Sequence, residues 1–191
     1  ESLGIDVEAG PMALVLQHVI SSEATEGYAQ MTETLEAVHK LGLRCVIIRP
    51  NSDAGREGIS RAIDEWLPRL PDACAFSNLP RLEFVNLLRR VDVLVGNSSL
   101  GILEAPFIKL PVVNVGNRQK GREHADNVIF VPHDSEAIAA AVNKALKDEE
   151  FRKQLSSSVC PFGDGHAGER VARALAEVAL DSRLLIKEGT Y

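Results

Sequence analysis

Six short runs dominated by Val, Leu, Ile and other apolar residues alternate along this chain with longer amphipathic stretches. That alternation constrains its fold more than any other feature. The runs are MALVLQH (12–18), LRCVII (43–48), ACAF (73–76), VDVLV (91–95), PVVNV (111–115) and NVIFV (127–131). Between them the spacing predicts helices over about 22–41, 56–67 and 81–90, and a short helix reaching about Phe107. Further helices are predicted at about 134–147, 149–157 and 166–181. Leu35, Val38 and Leu41 recur three apart, as one face of a helix requires, and Phe84, Leu87 and Leu88 make a second such face. Strands that are apolar on both faces and alternate with helices imply a parallel sheet covered on both sides, with right-handed crossovers. The expected fold is therefore α/β, one doubly wound parallel sheet over residues 1–191 with a helical C-terminal tail.

In such sheets ligands bind outside the carboxyl ends of the strands. The search for a site narrows to the loops 18–22, 49–55, 77–80, 96–101 and 116–124.

The richest of these is Gly96-Asn97-Ser98-Ser99, followed by Leu100-Gly101-Ile102-Leu103-Glu104. A buried strand running into a small-residue turn and a helix start leaves backbone N–H groups free to hold an anion. Ser98 and Ser99 add hydroxyl donors, and Gly101 is expected to let a ligand come close to the backbone. Glu104 would repel phosphate but suits a diol such as the ribose hydroxyls. A serine N-cap ahead of an ordinary helix fits the same letters equally well. Neither a P-loop nor a dinucleotide fingerprint is present.

Neighbouring loops weigh against the bare cap. Arg118, Lys120 and Arg122 place three cations within five residues at another strand's carboxyl end, and arginine suits bidentate phosphate contacts. His18 closes the first run and could donate to a phosphate or move a proton, although a lone strand-end histidine is more often structural. Arg49–Gly55 reads as a turn that caps the following helix. No pair among His18, His39, His124, His133 and His166 has metal-ligand spacing, so no metal is expected.

The formal net charge of −6 argues against a broad nucleic-acid or anionic-membrane footprint. No stretch has the apolar length of a membrane span. Cys45, Cys74 and Cys160 form no CxxC pair, and two of them lie in apolar runs, which points to reduced thiols and a cytoplasmic chain. The chain opens on Glu1 rather than Met and is expected to be a fragment.

The string GNSSLGILEAPFIKLPVVNVGNRQKGRE closely resembles the UDP-N-acetylglucosamine 2-epimerase family, especially its hydrolysing branch. FGDGHAGERVARAL and RPNSDAG resemble further motifs of that family, in register from about residue 12 to 180. QHVISSE and GNSSLG stand where the non-hydrolysing branch carries His-Arg-Arg-Glu and Ser-Gly-Gly. One departure is His18-Val19-Ile20-Ser21-Ser22, where the hydrolysing branch usually reads His-Pro-Val-Thr-Thr.

The resemblance implies a Rossmann-like domain, the C-terminal half of a two-domain GT-B-type fold with the sugar nucleotide in the cleft. It implies that His18 is an active-site histidine near the leaving diphosphate. Ser98, Ser99 and Gly101 would belong to the phosphate site, Glu104 would bind ribose, and Arg118 would stand at the nucleotide. No cofactor is implied. The implied partners are a UDP-sugar and the N-terminal domain, on which the helix and tail after about residue 166 could pack. A homodimer is also allowed. The implied activity is release of UDP and N-acetylmannosamine, or a diacetamido analogue, for sialic-acid-type sugar synthesis. The catalytic carboxylates would lie outside this chain, leaving it inactive alone. The alternatives are a UDP-sugar glycosyltransferase of the same architecture and a stand-alone UDP-binding regulatory module.

Overall fold

The computed structural model describes residue 5 and residues 9–186. The chain divides into two units, Glu1–Pro161 and Phe162–Tyr191.

The first unit is built on six parallel strands: β1 (Met12–Leu16), β2 (Arg44–Ile48), β3 (Cys74–Phe76), β4 (Val93–Gly96), β5 (Val112–Val115) and β6 (Val128–Val131). Their order is β3-β2-β1-β4-β5-β6, and every neighbouring pair is parallel. The helices are α1 (Gly27–Lys40), α2 (Arg56–Trp66), α3 (Arg81–Leu88), the single turn α4 (Leu100–Leu103), α5 (Ser135–Lys147) and α6 (Glu149–Ser157).

Side chains alternate faces along a strand, so each strand feeds two cores. Ala13, Val15, Cys45, Ile47, Val93, Val95, Val113 and Val115 pack with Leu35 and Val38 of α1, Ile59 and Ile63 of α2, and Ile138 and Val142 of α5. Met12, Leu14, Leu16, Val46, Leu94 and Val112 pack on the other face with Leu87, Leu88, Leu100 and Ala105. The edge strands are less enclosed: none of β3 is fully buried, and Phe130 of β6 is exposed. At about 25 cal/mol per Å² of apolar surface removed from water, two such layers supply the main drive to fold.

The strand expected to reach His18 ends at Leu16. Beyond it, the backbone N–H and C=O of His18 are taken by the Asn97 side chain instead of a ladder partner. The helix expected over 22–41 is a 3-10 turn at Ser21–Glu23 followed by α1. The loop 49–55 supplies no side-chain cap: α2 starts behind Gly55 in a left-handed conformation. Among the described residues no helix is long and apolar enough to cross a membrane.

The second unit contains α7 (Ala167–Glu177) and α8 (Ser182–Leu185). Val171, Leu175 and Val178 form an exposed apolar stripe along α7 and its C-cap. The expected tail beyond residue 186 lies outside the described residues.

Candidate anion and nucleotide site

The sheet order reverses between β1 and β4, which are paired although β2 and β3 intervene in the chain. A crevice opens at such a switch point, outside the carboxyl ends of the two strands. The loops leaving those ends carry His18 and Asn97-Ser98-Ser99, and the loop leaving β5 brings Arg118 and Gln119 to the same place.

Gly96 makes the close approach of β1 and β4 possible. Its φ is +139°, and a Cβ there would lie 2.1 Å from the Leu16 carbonyl oxygen, so no other residue fits without moving backbone.

Asn97 is completely buried, and each of its polar groups is satisfied. Its backbone N–H donates to Leu16 O at 3.2 Å. Its Oδ1 accepts from the His18 N–H at 2.7 Å, and its Nδ2 donates to His18 O at 2.8 Å. Its own carbonyl accepts from Gln119 Nε2 at 2.8 Å and from an Arg118 guanidinium N–H at 3.3 Å. Gln119 Oε1 in turn accepts from Arg122 at 2.9 Å.

The His18 ring is fixed from the other side. Its Nδ1 accepts from the Asn51 N–H at 3.3 Å, so the neutral ring carries its proton on Nε2, where it can donate. Burial holds the His18 pKa below the ordinary 6.5, and the nearby Arg118 charge pushes it the same way. The Asp53 carboxylate and the Asn51 side chain pull less strongly in the opposite direction.

Ser98 and Ser99 are partly exposed at the mouth of the crevice. Ser98 Oγ accepts from Leu100 N–H at 3.3 Å, and the Ser98 and Ser99 carbonyls accept the N–H groups of Gly101 and Ile102. Among the described residues the backbone N–H groups of Ser98 and Ser99 meet no acceptor. These two adjacent free donors could hold an anion. The following α-helix is one turn long, so its dipole contributes less than the expected longer helix would.

One expectation needs correction. Gly101 does not open the backbone to a ligand, because its missing side chain faces the core. A Cβ there would meet Val112 Cγ1 at 2.8 Å and Leu94 Cδ2 at 3.3 Å, and its N–H is already bonded to Ser98 O. It is a packing glycine that lets α4 lie on the sheet. Glu104 accepts from Arg81, which opens α3, at 2.7 Å.

The structure therefore gathers His18, Ser98, Ser99 and Arg118 around the switch point, with Glu104 one turn beyond and paired to Arg81. Sequence reasoning missed Asn51, Arg81, Asn97 and Gln119. An asparagine beside glycine reads as a turn former, and Gln119 was hidden among cations. His133 packs against Gly116: a Cβ there would lie 2.2 Å from its Nε2, and burial lowers its pKa against the pull of Glu23, Glu26 and Glu33. Among the described residues no group of three or more His, Cys, Asp or Glu side chains could hold a metal ion.

The sequence model of a family described as UDP-N-acetylglucosamine 2-epimerase matches residues 2–176. The chain is 35% identical over 180 residues to a UDP-N,N'-diacetylbacillosamine 2-epimerase (hydrolyzing) of Legionella pneumophila, which covers 94% of this chain and 46% of that protein. It is 40% identical over 80 residues to a GDP/UDP-N,N'-diacetylbacillosamine 2-epimerase (hydrolyzing) of Campylobacter jejuni, covering 41% of this chain and 20% of that protein. Among solved structures, the UDP-GlcNAc 2-epimerase of Neisseria meningitidis bound to UDP-GlcNAc superposes with a TM-score of 0.72 at 16% identity, over 90% of this chain and 46% of that one. The chain thus spans about half the length of the solved epimerase chain and of the Legionella relative, and its fold is that of one Rossmann-like half of a GT-B-type protein.

Proposed function

The chain belongs to the UDP-N-acetylglucosamine 2-epimerase family, and from that membership we propose that it is the nucleotide-binding half of a hydrolysing 2-epimerase. The observation that carries the reading is the convergence of three loops on Asn97, which sets His18, the free N–H groups of Ser98 and Ser99, and Arg118 around one crevice. In this reading a diphosphate binds these donors and Glu104 accepts from the ribose diol.

In the proposed reaction a carboxylate of the other half takes the proton from C2 of the sugar. The C1–O bond to the nucleotide breaks, leaving a glycal, and its electrons pass to the departing β-phosphate. Water then adds to the glycal, giving N-acetylmannosamine, or its diacetamido analogue, and free UDP. This chain's part is to hold the departing anion. Donors already aimed at the developing charge do not need to reorganise as it forms. Neutral His18 donates from Nε2 at the phosphate edge, and Arg118 supplies the fixed positive charge.

The proposal carries three further elements. The isolated chain does not turn over, because no acid-base carboxylate is assigned to its crevice. The stripe Val171, Leu175 and Val178 supports packing of the second unit on the missing half. A cytoplasmic location is proposed from the three free cysteines, Cys45, Cys74 and Cys160.

The test is product analysis with the full-length protein and UDP-N-acetylglucosamine or its diacetamido analogue. Free UDP together with the 2-epimerised free sugar is expected without any acceptor. Turnover that requires an acceptor sugar, or no turnover of either substrate, overturns the reading.

A further inference from the structure

We infer that Asn97 is the positioning residue of this site: it touches no substrate in the proposed arrangement, yet it sets the relative placement of His18 and Arg118. The inference rests on the nucleotide-binding reading above and deepens it.

A fully buried amide persists only where its donors and acceptors are met, and Asn97 is at 0% exposure. Its side chain could have been satisfied by its own turn. It reaches across to β1's end instead, where it takes both backbone groups of His18. That pair of bonds fixes where the chain leaves the strand, and therefore where the imidazole starts. Its carbonyl, on the opposite side, accepts from Arg118 and from Gln119. Gln119 is itself 1% exposed and held by Arg122. One residue thus joins loops that are otherwise 79 and 21 positions apart in sequence. A phosphate bound by Ser98 and Ser99, the two residues that follow, would meet donors whose positions are referenced to the same residue.

Asparagine suits this place better than its near isostere. The clamp needs an acceptor and a donor side by side. An ionised aspartate would still accept from the His18 N–H but would face the His18 carbonyl with a second acceptor. A protonated aspartate would restore the donor. The charged and titratable groups around the position are His18, Arg118 and, through Gln119, Arg122 on the β5 loop, and Asp53 on the β2 loop, which acts on His18.

The experiment is calorimetric titration of this chain and its Asn97→Asp variant with UDP at about pH 5.5 and about pH 8, alongside thermal melts and the His18 imidazole proton spectrum. The expected result is a variant-to-wild-type Kd ratio of roughly tenfold or more at the higher pH, falling to about threefold or less at the lower. The His18 ring signals should shift at the higher pH. A ratio that stays near one, or that is the same at both pH values, overturns the inference while leaving the nucleotide reading intact. If wild type itself binds no UDP, the nucleotide reading fails, and the Asn97 claim is judged by the His18 signals: unmoved signals overturn it, moved signals support it. If Asn97→Asp does not fold, Gln119→Met carries the test. It removes one donor to the Asn97 carbonyl, and an unchanged Kd in a folded variant overturns the claim, whereas a several-fold loss supports it.

Discussion

Asn97 and His18 hold each other through reciprocal hydrogen bonds, His18 N–H to Asn97 Oδ1 at 2.7 Å and Asn97 Nδ2–H to His18 O at 2.8 Å. The two residues follow β4 and β1, the strands between which the sheet order reverses. A side chain therefore completes at the switch point, where ligands bind in such folds, what strand pairing does below it.

The His18 ring should make stability depend on pH. Its folded pKa lies below the ordinary 6.5, chiefly through burial. As pH falls below that value, the unfolded chain takes up a proton before the folded one does. The stabilisation is full above the unfolded pKa and is lost as pH drops towards the folded pKa. His133, also lowered by burial, acts with the same sign. Thermal melts should show Tm falling in this acid window, with a shallower fall in His18→Gln. An identical pH profile in that variant would contradict the buried-neutral description.

Glu104 and Arg81 should separate ribose recognition from phosphate recognition. Glu104→Gln is expected to weaken UDP binding about tenfold or more, the range for losing a charged acceptor, while leaving pyrophosphate binding unchanged. The Glu104–Arg81 pair is largely exposed, so Arg81→Met should cost no more than about fivefold, as exposed ion pairs contribute about 0–1 kcal/mol. Equal losses for UDP and pyrophosphate in Glu104→Gln would remove Glu104 from the ribose.

Two glycines should fail differently. Gly96→Ala places a Cβ 2.1 Å from the Leu16 carbonyl oxygen at positive φ, and folded protein should not be recovered. Gly101→Ala meets the Val112 methyl at 2.8 Å, so overpacking should destabilise by about 1–3 kcal/mol. Denaturant melts check both, and a stable Gly96→Ala would contradict the tight β1–β4 closure.

In the full-length protein Arg118→Ala should lower kcat by about 10²–10³, the cost of losing one preorganised donor to a developing anion. Ser99→Ala retains its backbone N–H and should lose less. Steady-state kinetics measure both; unchanged values for the pair would remove Arg118 and Ser99 from the reaction.

The sheet was legible because burial on both faces writes itself as unbroken apolar runs, and all six strands lie within the runs or one residue past them. Their ends were not, because His18 leaves β1 through a bond to Asn97, distant in sequence. Ser98, Ser99 and Arg118 could be proposed from their own chemistry at a strand end. Gly101 could not be read correctly: the letter shows that a side chain is missing but not whether ligand or Val112 occupies the space. Asn97 and Gln119 act through buried contacts between loops, which no local pattern announces.

The central claim is that a nucleoside diphosphate occupies the crevice between β1 and β4. Backbone amide NMR of this chain during a UDP titration tests it most directly. The account predicts saturable shifts concentrated at Ser98, Ser99 and Arg118, with the His18 imidazole moving together with them. Shifts confined to other surfaces, or none at millimolar UDP in a folded chain, would contradict it.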